Sequence, residues 1–252
     1  MTMDRLARTV REQVALGRLL PLGAPDDDAW ITERATVRAL RWTAAGLSGV
    51  RLGEVSLALA QSGGEVPETA PVGALPHLPV RIEASFEAAP DEPLPLVADR
   101  LRDVLWTTAR DGLGIAVSAV DLQVTGLLDG DDGDGTELPP GGPGAEVEPH
   151  DPDGPVVVGV RKPTDAVAAA ALSVPGVVRL STRPVGLGSG VRIKDSEAPE
   201  DKPGRRVQVQ IAVSPGHRPL DVVRAVAAAV TAAAAQDAPG PVRTAVVVTD
   251  AG

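Results

Sequence analysis

The chain has 252 residues, 24 basic and 34 acidic side chains, a net charge of −10 and a pI near 4.8. It has no Cys, three His and 2% aromatic residues. That composition removes disulfides, thiol nucleophiles and Cys-ligated zinc, and it leaves neither a His-rich metal site nor the aromatic platforms that grip single-stranded nucleic acid. No apolar run approaches the roughly 18–20 residues of a membrane span, and a cytoplasmic protein, peripheral at a membrane at most, is expected.

Met3, Leu6, Val10 and Val14 form a helical stripe surrounded by Arg5, Arg8, Arg11 and Arg18, which predicts an N-terminal amphipathic helix over residues 1–20. A first α/β unit follows over residues 21–127. It opens with the short apolar stretch Ala29 to Thr32, then a helix carried by Val37, Leu40, Ala44 and Leu47. Gly49 turns the chain into a strand over Val50 to Leu59. Val80, Ile82, Ala84 and Phe86 alternate with Arg81, Glu83 and Ser85, the pattern of a strand with one covered face. A helix over about Leu96 to Ala109 and a strand over Ile115 to Thr125 complete the unit.

Residues 128–155 hold nine carboxylates, no Lys or Arg, and many Gly and Pro, a composition that predicts an extended flexible linker. The first unit then recurs over residues 156–252. Leu47-Ser48-Gly49-Val50 returns as Val174-Pro175-Gly176-Val177, and Val80–Phe86 returns as Val207–Val213, both at an offset of 127. Val97, Leu101 and Leu105 match Val222, Val226 and Val230 at an offset of 125. Trp30 and Ile31 fall opposite Val157 and Val158, and Thr164 or Asp165 caps the first helix of the second copy. The expected fold is α/β in the α+β two-layer sense: two tandem split βαβ units, each β-α-β-β-α-β, joined by the acidic linker.

Motifs for chemistry are absent. The run Asp129 to Glu137 fails the calcium-loop pattern, because Gly133 stands at position 5 and Pro140 at position 12. Gly186-Leu187-Gly188-Ser189-Gly190 has neither the spacing nor the following helix of a dinucleotide loop. His77, His150 and His217 lie in loops, with no motif that joins them to a nucleophile or a carboxylate. No catalytic residue, cofactor or metal is expected. Charge is the informative feature. Residues 1–127 carry a net −5 and the linker −9, whereas residues 156–252 carry 12 basic and 8 acidic groups, a net +4. Arg192, Lys194, Lys202, Arg205 and Arg206 cluster there as a candidate partner-binding patch, which could meet an anionic surface or be screened by the linker.

A helix ending in Val-Pro-Gly-Val over Ala166 to Val177, the alternating strand Arg206 to Val213, the helix Leu220 to Ala235 and the Val-rich strand Val242 to Asp250 resemble the alkaline-shock family of Gram-positive cell-envelope stress proteins. The first copy resembles it more loosely, through Val37 to Val50, Val80 to Phe86, Val97 to Leu105 and Val117 to Val124. The resemblance implies non-catalytic α/β domains that bind a membrane-anchored protein or self-associate. This chain departs from the family in its duplication and its long acidic linker. The expectation is an interaction protein acting through protein–protein contacts near the membrane, not a nucleic-acid binder. A second expectation is a pair of small-molecule-sensing regulatory domains.

Overall fold

The described part of the chain comprises residues 17–128, 163–181, 190–196 and 203–251 of a computed structural model. It begins with a three-residue strand, β1 (Leu19–Pro21), antiparallel to β2 (Ala29–Thr32). The helix expected over residues 1–20 does not extend to Leu19–Pro21, which is strand, and the rest of that expectation, residues 1–16, lies outside the described residues. β2 runs directly into α1 (Glu33–Ala44), whose first turn is capped by the Thr32 hydroxyl accepting from the Ala35 amide at 3.2 Å. The first repeat continues with β3 (Val50–Leu59), β4 (Val80–Ala88), α2 (Leu94–Thr107), one π turn over Thr108–Leu113, and β5 (Val117–Leu127). The second repeat supplies α3 (Pro163–Leu172), β6 (Val177–Leu180), β7 (Val191–Ser196), β8 (Gly204–Val213), α4 (Pro219–Ala234) and β9 (Val242–Ala251). Four α-helices and nine strands in two sheets make an α+β fold among the described residues. The linker from residue 129 and the apolar stretch 156–160 fall outside them.

Among the described residues the two halves share element order and strand pairing. β3 is antiparallel to β4, and β4 is parallel to β5 across α2. On the other side β8 is parallel to β9 across α4, with Val209 opposite Val246 where the first repeat has Ile82 opposite Val120. Gly49 and Gly176 both take positive φ, 71° and 92°, and their carbonyls accept from Ala89 and Ser214 respectively, each at 2.9 Å. The inner-face residues of β4 and β8 and the stripes of α2 (Val97, Leu101, Leu105) and α4 (Val222, Val226, Val230) are buried. The amphipathic periods read from the sequence account for that burial.

β6 and β7 pair with successive segments of the same edge of β8, residues 211–213 and then 204–209. Together they cover what β3 alone covers on β4.

The strand order departs from two self-contained sheets. One sheet is β3-β4-β5, but the other is β1-β2-β9-β8-β6, with β7 also on β8. β2, from the first repeat, pairs in parallel with β9, from the second: Ala29 with Val246, Trp30 with Val247, Ile31 with Val248. The reason lies in burial. Ala29, Trp30, Ile31 and Val246, Val247 and Val248 of β9 are all fully buried, and strands apolar on both faces need cover above and below, as in buried parallel sheets. Their inner face enters one apolar cluster that draws on both sheets and all four helices. Their outer face (Leu19, Trp30, Ala245, Val247) is covered by the segment between β3 and β4, which packs Ala70 and Ala74 against it.

This segment acts as a strap. The Leu19 amide donates to the Gly73 carbonyl (3.1 Å), the Leu75 amide to Leu19 (2.9 Å), the Trp30 indole to Leu75 (3.1 Å), and Thr69 Oγ1 to Asp28 (2.9 Å). His77 stands edge-on to Trp30 with ring centroids 5.1 Å apart. Ion pairs also cross the repeats: Arg224 on α4 grips both carboxylate oxygens of Asp27 at 2.8 and 3.0 Å, and Asp250 meets Arg38 and Arg179.

A Cβ on Gly176 would lie 2.8 Å from both the His217 ring and Val222, whereas one on Gly216, also at positive φ (82°), would meet nothing within 4 Å. Gly216→Ala is therefore expected to cost about 1–2 kcal/mol from backbone strain alone. Gly176→Ala should cost about 3 kcal/mol, overpacking added, and urea midpoints of the two variants would separate these contributions.

Burial holds the His77 imidazole below its ordinary pKa, against the attraction of Asp28 and Asp27. The unfolded chain takes up that proton near pH 6.5, before the folded chain does. The neutral ring's contribution is complete above about pH 6.5 and declines as the pH falls toward the folded value. His77→Phe should remove that part of the pH dependence of the urea midpoint.

Candidate cationic groove

The outer face of the larger sheet is covered by the strap only over β1, β2 and β9. Beyond the strap, β7, β8 and the start of β9 lie open, and alternation puts Arg192 and Lys194, Arg206, Gln208 and Gln210, and Arg243 on that face. Register then aligns them. Lys194 is directly opposite Arg206 on β8, and Arg206 is directly opposite Arg243 on β9, so three cations form one row across three strands. Arg192 stands opposite Gln208 in the next row. Like charges at directly opposed positions weaken a sheet.

The only carboxylate with an ion pair to this row among the described residues is Glu68 on the strap, whose Oε2 accepts from Arg206 at 2.8 Å. Lys194 and Arg243 have no ion pair among the described residues. Arg206 and Arg243 of the row line a cleft of about 490 Å³ together with Glu68, Ser196, Arg205 and Pro241. An adjoining cleft of about 190 Å³ has strap residues 68–72 as its wall and Arg192 and Lys194 on its floor.

Three of the five expected patch residues, Arg192, Lys194 and Arg206, come together here; Lys202 lies outside the described residues. Arg205 borders the larger cleft but is engaged inward and is not part of the outward-facing row. One residue before Arg206, it points to the opposite face and is 5% exposed. Its Nε and Nη2 each donate to Asp195 at 2.7 Å, a bidentate pair that draws the Asp195 carboxyl below its usual pKa and raises that of the guanidinium. Its Nη1 donates to the carbonyls of Ala234 (2.9 Å) and Gln236 (3.1 Å), and Nη2 to that of Asp237 (3.3 Å). Arg205 thus closes the C-terminus of α4, where unpaired carbonyls carry the negative end of the helix dipole. Arg243, absent from the expected patch, completes the row; only the β8–β9 register brings it there.

Among the described residues no group of three or more His, Asp or Glu could hold a metal ion, and no helix is long and apolar enough to cross a membrane. Arg205→Ala should destabilise the fold by about 2–4 kcal/mol, since it strands Asp195 and three carbonyls. Arg206→Ala, on an exposed pair, should change stability by about 0.5 kcal/mol or less; thermal melts of the two variants check the contrast. Comparisons with protein-family models, curated proteins and solved structures found no match for this chain.

Proposed function

We propose that this chain is a non-catalytic scaffold protein that engages acidic protein surfaces through the cationic groove, in the cell-envelope stress setting of the alkaline-shock proteins it resembles and peripheral to the membrane. The observation that carries this reading is the cross-strand row Lys194–Arg206–Arg243. Three opposed like charges cost the isolated sheet stability, and an anionic partner seated over them recovers that cost while setting register and encounter rate.

The chain carries a matching surface of its own. The outer face of β3-β4-β5 has a depression of about 410 Å³ lined by Glu54, Glu83 and Asp121 together with Ser56, Ser85 and Gln123. Arg81 offsets Asp121 from its rim at 3.0 Å. The acidic face of one copy complements in charge the basic face of the next, which is a head-to-tail contact.

Sedimentation velocity at low and high salt tests the reading. Wild type should associate at low salt and dissociate at high salt. The triple variant Lys194→Glu, Arg206→Glu, Arg243→Glu should stay monomeric, as should Glu54→Lys, Glu83→Lys, Asp121→Lys. An equimolar mixture of the two should associate again. A wild type that is monomeric at low salt, or association indifferent to both triple variants, would overturn it.

A further inference from the structure

A second cavity lies at the junction of the repeats, away from the groove. It has a volume of about 550 Å³ and is walled by the last turn of α1, the π turn after α2, the β8–α4 turn and Ala251. Its size falls in the range of small-molecule sites, which favour junctions and combine apolar walls with a few polar groups.

Three observations bear on what it takes. Trp42, one of three Trp in the chain, lines it with 77% of its surface exposed and with its indole N–H unpaired among the described residues. The repeat does not require a ring there: the residue 127 positions on is Ala169. Next, Arg218, which also lines the cavity, is under-used. Of its five N–H donors, Nη1 reaches Asp221 only at 3.5 Å and Nη2 reaches the Arg110 carbonyl at 3.3 Å, while Nε is buried without a partner. The side chain as a whole is 37% exposed, so Nη1 and Nη2 are the donors offered to the cavity. Finally, the walls between them include Ala39, Leu113, Pro215 and Pro219, while His217 Nδ1 is already engaged by the Ser214 hydroxyl at 3.0 Å. The cavity's carboxylate, Asp111, is 67% exposed and lies beside Arg110.

We propose that this cavity binds a small planar aromatic carboxylate, its ring against the Trp42 indole and its carboxylate on Arg218. A flat π surface and an under-satisfied guanidinium in one apolar-sided cavity complement that chemistry at both ends. The site draws on both repeats, so an occupant also ties them together and stabilises the folded chain by linkage.

Saturation-transfer NMR on the full chain, with 2-naphthoate as probe and 2-naphthylmethylammonium as the cationic counterpart, tests this. The naphthoate should bind and the ammonium should not. Trp42→Ala and Arg218→Gln, both at accessible positions, should each weaken naphthoate binding by about fivefold or more. Absence of transfer to naphthoate, equal binding of the ammonium, or binding unchanged in both variants would overturn the proposal. Lys194→Glu should leave the naphthoate signal unchanged, which separates this site from the groove.

Discussion

Ala29, Trp30 and Ile31 have no exposed face, and neither do Val246, Val247 and Val248 beside them. Paired in parallel, these six residues form the seam on which both repeats close. Below the seam lies the common core. Above it lies the strap, whose residues have their packing surface only because Trp30, Leu19 and Val247 are there. The open floor of the groove is what the strap leaves uncovered. Remove the pairing of β2 with β9 and the strap has nothing to cover, the groove loses the wall that carries Glu68, and α1 no longer sits against the β8–α4 turn to enclose the junction cavity.

The repeat and its period were legible in the sequence because burial in amphipathic elements follows spacing. Val80 to Phe86 and Val207 to Val213 alternate, and the stripes of α2 and α4 recur at helical spacing, so each announces its covered face. The partner of a strand is not written in its own periodicity. Ala29 to Thr32 reads as a buried strand in either sheet, and its pairing across the repeats follows from three-dimensional demand for cover on two faces. The strap was illegible for a related reason: Pro71, Gly73 and Pro76 read as a variable loop, and its hydrogen bonds are mostly between backbone groups, which leave no side-chain signature. The candidate patch was half legible. Proximity in sequence collected Arg205 with Arg206, but alternation sends neighbours to opposite faces, and cross-strand register replaces Arg205 with Arg243.

The two sheets differ where they face outward while their inward faces are alike. At the position of Glu83 on β4 the second repeat has Gln210 on β8, and at Arg81 it has Gln208. Acidic groups gather on the outer face of one sheet and cations on that of the other, although the buried residues of β4 and β8 remain interchangeable in kind. The segregation concerns surfaces that the core does not constrain, so it can change without disturbing the fold.

The seam also sets a timetable for synthesis. Thr32 and Thr249, hydrogen-bonded across it, are 217 residues apart in the chain. A ribosome adding about 5–20 residues per second needs roughly 10–40 s to travel that distance. Over that interval the strand that pairs with Trp30 and Ile31 has yet to be made. Pairing at so long a sequence separation is slow by nature, since the loop-closure entropy must be met before the contact rewards it.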